Sequence, residues 1–291
     1  MTRSPRRLAG YLFLLPYLTL FCVFLLLPLC YGLVLSFQKY NLVESKDVAP
    51  TFVGLANYRE AVADPYFRRA LWATARFVIM AVPATVGLAL LLAVGIESLP
   101  ARRQGFYRLC IFIPTMITIS VAGILWRWFY NSQFGVFNAL LEPLGIGPVN
   151  WITDKRWAMP SIVLMTVWWT VGGPTVILLA GLKQIPDAYY EAAAIDGAVG
   201  WRRFIHITLP LLRPVLLFVL VLNVIGAFQI FGQTYIITRG EPEMSTRVLV
   251  QYIYDTAFNF YRMGYGSAMS WLLFLVIVAF SLIQFRVLRE K

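Results

Sequence analysis

Polar residues in this chain come in short clusters that punctuate long apolar runs. Six runs are long enough to cross a hydrocarbon core of about 30 Å, which takes about 20 residues of helix. They are 11–37, 74–96, 106–129, 159–182, 211–237 and 264–286. Of the connections, 38–73 is the longest, mixed in charge, with a turn-rich start at 48–54; residues 58–63 and 66–71 are expected to form a short interfacial helix. Segment 97–105, with Pro100, Arg102 and Arg103, reads as a turn. Segment 130–158 holds Gly135, Pro143, Gly145, Gly147 and Pro148 and is expected to be irregular. Segment 238–263 contains Gly240, Glu241, Pro242 and an aromatic stretch at 252–261. Segment 184–210 is too polar to cross a bilayer. The pattern predicts an all-α polytopic membrane protein with six transmembrane helices. Its parts are 1–37 (N-terminus and first span), the loop 38–73, a core 74–286 of five spans that includes the loop 184–210, and a tail 287–291.

Arg3, Arg6 and Arg7 precede the first run, as in a signal peptide. That run is too long for one, no Ala-x-Ala site comes after it, and Leu29 is too large to precede a lipoprotein cysteine at Cys30, so a retained span is expected. Composition agrees: hydrophobic residues make up 59% and charged residues 13%, about half the charge of a soluble domain. Aromatics at 15% suit two interfacial belts. A net charge of +11 and a pI near 9.8 do not indicate nucleic acid, because the basic residues are dispersed between apolar runs. With the N-terminus inside, the inner segments carry thirteen basic residues against five acids, and the outer segments ten against nine. The positive-inside bias therefore predicts that both termini and the loop 184–210 are cytoplasmic. Cys22, Cys30 and Cys110 lack metal-ligand spacing and read as small hydrophobes in a reduced setting.

Arg76 and Arg127 are the charges nearest membrane depth; each lies close to a boundary beside tryptophan and is expected to snorkel. No Asp or Glu lies deep in a span, which argues against proton-coupled transport. His206 is the sole histidine and there is no carboxylate pair at depth, which disfavours a zinc or acid–base enzyme. No G-x-x-x-x-G-K-[ST] phosphate loop is present, and no internal repeat is visible. No catalytic residue and no metal ligand is expected.

Residues 191–210 read EAAAIDGAVGWRRFIHITLP. Pro186 suits a first helical turn and Asp187 the positive end of a helix. Ala188, Ala192, Ala193 and Ala194 favour helix and allow close approach of another surface. Gly197 is placed to end that helix in the left-handed conformation, and a second short helix is expected near Gly200; Pro210 and Pro214 mark the return into the membrane. On propensity alone an ordinary amphipathic connector reads equally well. As a pattern the segment is E-A-A-x3-G-x9-I-x-L-P, filled by Glu191, Ala192, Ala193, Gly197, Ile207, Leu209 and Pro210, with Asp196 preceding the glycine. In this the chain resembles the permease subunits of bacterial ABC importers, whose cytoplasmic EAA loop docks on ATPase subunits. The phrase Gly181, Leu182, Ile185, Pro186, Tyr190, Glu191, preceded by Trp168 and Pro174, narrows the resemblance to maltose-type sugar permeases. So does the GYGSAMSW start of the last span.

The resemblance implies a type I ABC importer permease fold, one half of a heterodimer with a second permease subunit. It also implies two cytosolic ATPase subunits that use ATP and Mg, an extracytoplasmic solute-binding protein, a sugar substrate, surrounding lipid, no nucleic acid, and the bacterial or archaeal cytoplasmic membrane. No cofactor is expected on this chain.

The spans on either side of the EAA loop carry the candidate pathway. Thr166, Trp169, Thr170 and Gly173 recur at one helical face, with Gly172, Gly173 and Pro174 interrupting the helix at mid-membrane. Asn223, Gln229, Gln233 and Thr234 come next on the fifth span, with Gly226 as a point of close approach. Neutral amides, hydroxyls and an aromatic face suit a polyhydroxylated ligand; small and amide residues also serve simply to join helices. By offset from Glu191 and Pro214, the sugar contacts of the resembled family map near Thr166, Trp169, Thr170, Gly173, Gly226 and Gln229. A permease for glycerol phosphate or polyamine is the alternative, and it calls for charges along the pathway that the sequence does not show.

Overall fold

The computed structural model describes residues 5–41, 43 and 50–289; Arg3, the turn start near Val48, Glu290 and Lys291 lie outside the described residues. Among the described residues four helices are long and apolar enough to cross a membrane, or six if each of two bent pairs counts as one span. The chain divides into two compact units, one of residues up to Asp64 with Ile253–Phe274, the other of Pro65–Tyr252 with the residues from Leu275 onward.

In the first unit, helix α1 (Phe13–Ser36) has none of its most apolar stretch buried. It leads into a two-residue strand, Gln38–Lys39, which pairs antiparallel with Thr51–Phe52, Gln38 opposite Phe52. Helix α2 (Ala56–Ala63) comes next. The buried Asn57 amide donates to the carbonyls of Ser36 and Gln38, both at 2.9 Å, and so pins the turn after α1. Arg262 forks onto both Glu60 oxygens (2.7 and 2.8 Å) and lies 4.6 Å over the Tyr265 ring, whose hydroxyl donates to Asp64 at 2.8 Å.

The second unit is built around α3 (Pro65–Glu97). This helix starts nine residues before the apolar run. Arg68 and Arg69 interrupt hydropathy, yet Phe67, Ala70, Ala73, Thr74, Phe77, Val78 and Ala81 continue one buried stripe at helical spacing. The third apolar run is two helices, α4 (Ala101–Met116) and α5 (Ile119–Phe129), bent by 94°, because Ile117 and Thr118 take extended backbone after Pro114. Segment 130–158 is not wholly irregular: it holds α6 (Val136–Leu141). Asn138 fastens this excursion through Ser132, Val149 and Trp151.

The fourth run is α7 (Ala158–Thr170) and α8 (Gly172–Leu182), bent by 50°. Pro174 lacks the N–H that would reach the Thr170 carbonyl, and its ring crowds that carbonyl. Helix α9 (Asp187–Ile195) lies in the EAA segment.

Beyond α9 the structure departs from two expectations. The helix expected near Gly200 is not separate but runs into the fifth span as α10 (Trp201–Phe228). Phe204–Thr208 forms a π turn immediately before Leu209 and Pro210, where the missing proline N–H weakens the regular ladder anyway. At its other end the span stops at Phe228 instead of 237. Gln229, Ile230 and Phe231 break the helix before α11 (Gly232–Ile237), where apolar continuity had suggested one run. After a turn in which Arg239, Glu243 and Met244 have positive φ, α12 (Leu249–Tyr254) precedes α13 (Met263–Arg289). The Lys155 ammonium at 2.8 Å from Glu243, by hydrogen bond and then by charge, holds that carboxyl below the usual carboxylate range.

Helix α3 packs against α7, α8 and α10. Phe77, Met159, Ile162, Met165, Leu178, Leu179 and Leu212 are buried among them. Gly181 is where α8 meets α10: a Cβ there would stand 2.9 Å from Leu212 and 3.0 Å from Val215.

Candidate functional site

A cavity of about 370 Å³ opens among α3, α7, α8 and α10, within the range of about 300–1,000 Å³ usual for small-molecule sites. Seven of the eight predicted pathway residues line it: Thr166, Trp169, Thr170, Gly173, Asn223, Gly226 and Gln233. Gln229 does not. It is the exposed residue that ends α10, displaced from the helical face by the break before α11. Thr234 is also elsewhere, fully buried and donating to the Phe231 carbonyl at 2.9 Å. Gly226 is not a point of close approach, since a Cβ there would meet nothing within 4 Å; it borders open cavity. The tight glycine is Gly172, whose Cβ would come 2.7 Å from the Ile111 carbonyl oxygen and 3.0 Å from the Phe112 Cα. Arg76 and Arg127 are not among the lining residues.

The polar groups of the cavity are held in set states. Thr166 donates to the Ile162 carbonyl and Thr170 to the Thr166 carbonyl, both at 2.8 Å. Each hydroxyl thus gives its proton to the preceding turn and presents lone pairs. The Asn223 amide donates to Val219 at 2.8 Å, leaving its oxygen and one N–H. The Trp169 indole N–H reaches the Ile117 carbonyl at 2.9 Å, a backbone acceptor freed by the bend between α4 and α5. With its N–H engaged, what Trp169 offers the cavity is its ring. No charged side chain is among the lining residues.

One wall of the cavity was not expected from the sequence. Phe77, Ala81, Val82 and Thr85 of α3 also line it. They form an i, i+4, i+5, i+8 stripe that is visible in the sequence, but α3 is remote from the EAA loop, the feature that pointed to the fourth and fifth spans.

In the EAA segment, Pro186 is the residue before α9, and Asp187 opens its first turn. The helix ends in a complete Schellman cap: Ala198 N–H donates to Ala193 O (2.8 Å) and Gly197 N–H to Ala194 O (3.1 Å), with Gly197 at φ +71°. Glu191, Ala192 and Asp196 are exposed, whereas Ala193 is buried within the chain and faces away from any approaching surface. Around them Tyr189, Ile195, Val199 and Trp201 form an exposed apolar rim, Ile195 at 86%. Ile207 and Leu209 are half-buried and Pro210 exposed. Tyr190 ties α9 to α10, accepting from the Thr208 hydroxyl at 3.3 Å and lying under the Arg203 guanidinium at 5.2 Å. Among the described residues no group of three or more His, Cys, Asp or Glu could hold a metal ion.

Known proteins are similar to this chain along almost its whole length. Residues 67–290 match the family described as "Binding-protein-dependent transport system inner membrane component". The probable ABC transporter permease protein YesP of Bacillus subtilis is 38% identical, over 98% of this chain and 92% of its own. The arabinooligosaccharides transport system permease AraP of the same organism is 34% identical, over 97% and 88%. The sn-glycerol-3-phosphate transport system permease UgpA of Brucella abortus is also 34% identical, over 99% and 97%. The crystal structure of a bacterial ABC transporter that imports the acidic polysaccharide alginate contains a chain of the same fold, with TM-score 0.81 and 23% identity over 98% and 96%. An apolar, six-run chain with this loop and these relatives belongs to the binding-protein-dependent transport system inner membrane component family, the permease subunits of ABC transporters, which are not themselves enzymes.

Proposed function

We propose that this permease forms half of the translocation pathway of an ATP-driven importer for a neutral sugar or oligosaccharide. The single observation that carries the reading is the cavity among α3, α7, α8 and α10. It offers hydroxyl and amide oxygens, one indole face and no charge, which is the complement of a polyhydroxylated ring with donor OH groups and apolar C–H faces. AraP handles oligosaccharides by its description, which supports the saccharide class here. UgpA, equally similar in sequence, carries a phosphate ester by its description. A phosphate calls for Arg or Lys at hydrogen-bond range, and the lining supplies none.

In this reading a second permease subunit completes the channel, and a solute-binding protein delivers the sugar from the far side of the bacterial inner membrane. Two cytosolic ATPase subunits, using ATP and Mg, grip α9 through Glu191, the exposed alanines and the rim of Ile195 and Trp201. Both termini lie on that cytosolic side, as the charge bias supports. Closure of the ATPases moves α9, and the Tyr190 contacts and the Gly181 packing pass that motion to α10 and α8. The test is reconstitution of the complex in proteoliposomes with labelled arabinotriose, maltose and sn-glycerol 3-phosphate supplied in turn. ATP-dependent uptake of a saccharide, with ATPase chains co-purifying on the permease, is expected. Uptake of the phosphate ester alone would overturn the substrate class, and absence of ATPase chains would overturn the coupling.

A further inference from the structure

We infer that Thr85, on α3, is a substrate-contacting residue that sets specificity on the wall of the cavity that α3 contributes. The inference rests on the reading of the cavity as the saccharide path. Four threonines on the long helices of the second unit share one habit. Thr74, Thr166, Thr170 and Thr175 each donate to the carbonyl four residues back, at 2.8–3.0 Å. That bond keeps a hydroxyl satisfied in apolar surroundings. Thr85 departs from it: the residue is 4% exposed, it lines the cavity, and its hydroxyl has no hydrogen-bond partner among the described residues.

The Thr85 hydroxyl is not sealed from the cavity: it opens on it and is free to pair with what the cavity holds. The α7 wall shows what is missing. Thr166 and Thr170 have given their protons to the backbone, so they accept from a ligand but do not donate. Thr85 retains its proton, and it does both. A saccharide that donates one hydroxyl to α7 is therefore able to accept from Thr85 with another, with Phe77, Ala81 and Val82 among the apolar lining of α3. The ligand class is a neutral polyol with a hydroxyl, not a deoxy or methylated carbon, at that position.

The test uses the complete importer in proteoliposomes, with Cys22, Cys30 and Cys110 replaced by Ala, since all three are exposed thiols. Thr85→Cys, Asn223→Cys and Leu91→Cys are treated with a membrane-impermeant methanethiosulfonate reagent during ATP-driven turnover. Leu91, on α3 and 71% exposed, reports the helix surface away from the cavity. Modification of Thr85→Cys and Asn223→Cys but not Leu91→Cys is expected. Labelling of Asn223→Cys without Thr85→Cys overturns the assignment of Thr85 and leaves the pathway standing. No labelling of Asn223→Cys overturns the pathway, and the Thr85 assignment with it.

A second arm titrates protection of Asn223→Cys by whichever of arabinotriose, maltose and lactose the complex accumulates. Thr85→Val should raise the half-protecting concentration by about three- to tenfold, the loss of one neutral hydrogen bond, and Thr85→Ser should restore it. Equal protection in Thr85→Val and wild type overturns the contact. Accumulation of none of the three counts against the saccharide reading, and the labelling arm still decides whether Thr85 faces the path.

Discussion

The end of α9 gives the sharpest handle on coupling. Gly197→Val places a β-branched residue at φ +71°, where an L side chain costs roughly 1–2 kcal/mol and a branched one lies at the upper end. No atom stands within 4 Å of the new Cβ, so the cost is one of backbone handedness and not of collision. Two hydrogen bonds depend on that handedness, Ala198 N–H to Ala193 O and Gly197 N–H to Ala194 O. A penalty of about 1–2 kcal/mol shifts the ratio of capped to frayed populations by a factor of about 5 to 30, toward an open last turn beside Glu191. Stimulation of ATP hydrolysis by substrate-loaded binding protein should fall, by up to about five- to thirtyfold where the capped state starts only marginally favoured, while complexes still assemble in a pull-down. Gly197→Asn supplies the control, because Asn tolerates the left-handed region; it should keep most of the stimulation. Wild-type coupling in Gly197→Val would refute the reasoning, and so would equal losses in the two variants.

Other substitutions separate the remaining contacts. Gly172→Ala drives a Cβ against the backbone of Ile111 and Phe112, which cannot step aside as a side chain does; a loss of about 1–3 kcal/mol should appear as a lower midpoint of thermal unfolding in detergent. Trp169→Phe keeps a ring but releases the Ile117 carbonyl, so uptake should persist with stability reduced by about 1 kcal/mol. Trp169→Ala should abolish uptake, and equal uptake in the two would deny the ring its role. Asn57→Leu leaves the Ser36 and Gln38 carbonyls without their donor; protease sensitivity of the segment after α1 should rise. Glu60→Gln touches a half-exposed ion pair and should change stability by less than about 1 kcal/mol.

What the sequence revealed was what composition and local backbone preference control. Six apolar runs stand out because a bilayer demands about 20 apolar residues, and Gly197 announced its left-handed cap because few other residues take it freely. What it hid was tertiary. The bend at Ile117 and the break at Gln229 interrupt apolar stretches that look continuous, since hydropathy does not register an extended residue supported by a neighbouring span. The start of α3 at Pro65 was masked by Arg68 and Arg69, whose charges do not disturb the buried stripe beneath them. The cavity residues on α7 and α10 were legible from their faces and from the loop between them. Thr85 was not, because its meaning lies in a hydrogen bond that it fails to make.

The bends of this bundle have a bearing on how the chain enters a membrane. The carbonyl exposed where α4 turns into α5 is satisfied by an indole from α7, a partner synthesised some fifty residues later. Gly172 and Gly232 leave room at the same junctions for Ile111 and Ile119. Until that later segment arrives, 101–129 has no donor for the carbonyl that a break would free in lipid, and is better satisfied as one unbroken rod. The mature right-angle turn is then a late event of biogenesis, after insertion. Truncating nascent chains before and after Trp169 should show the third segment crossing straight first and folding over afterwards.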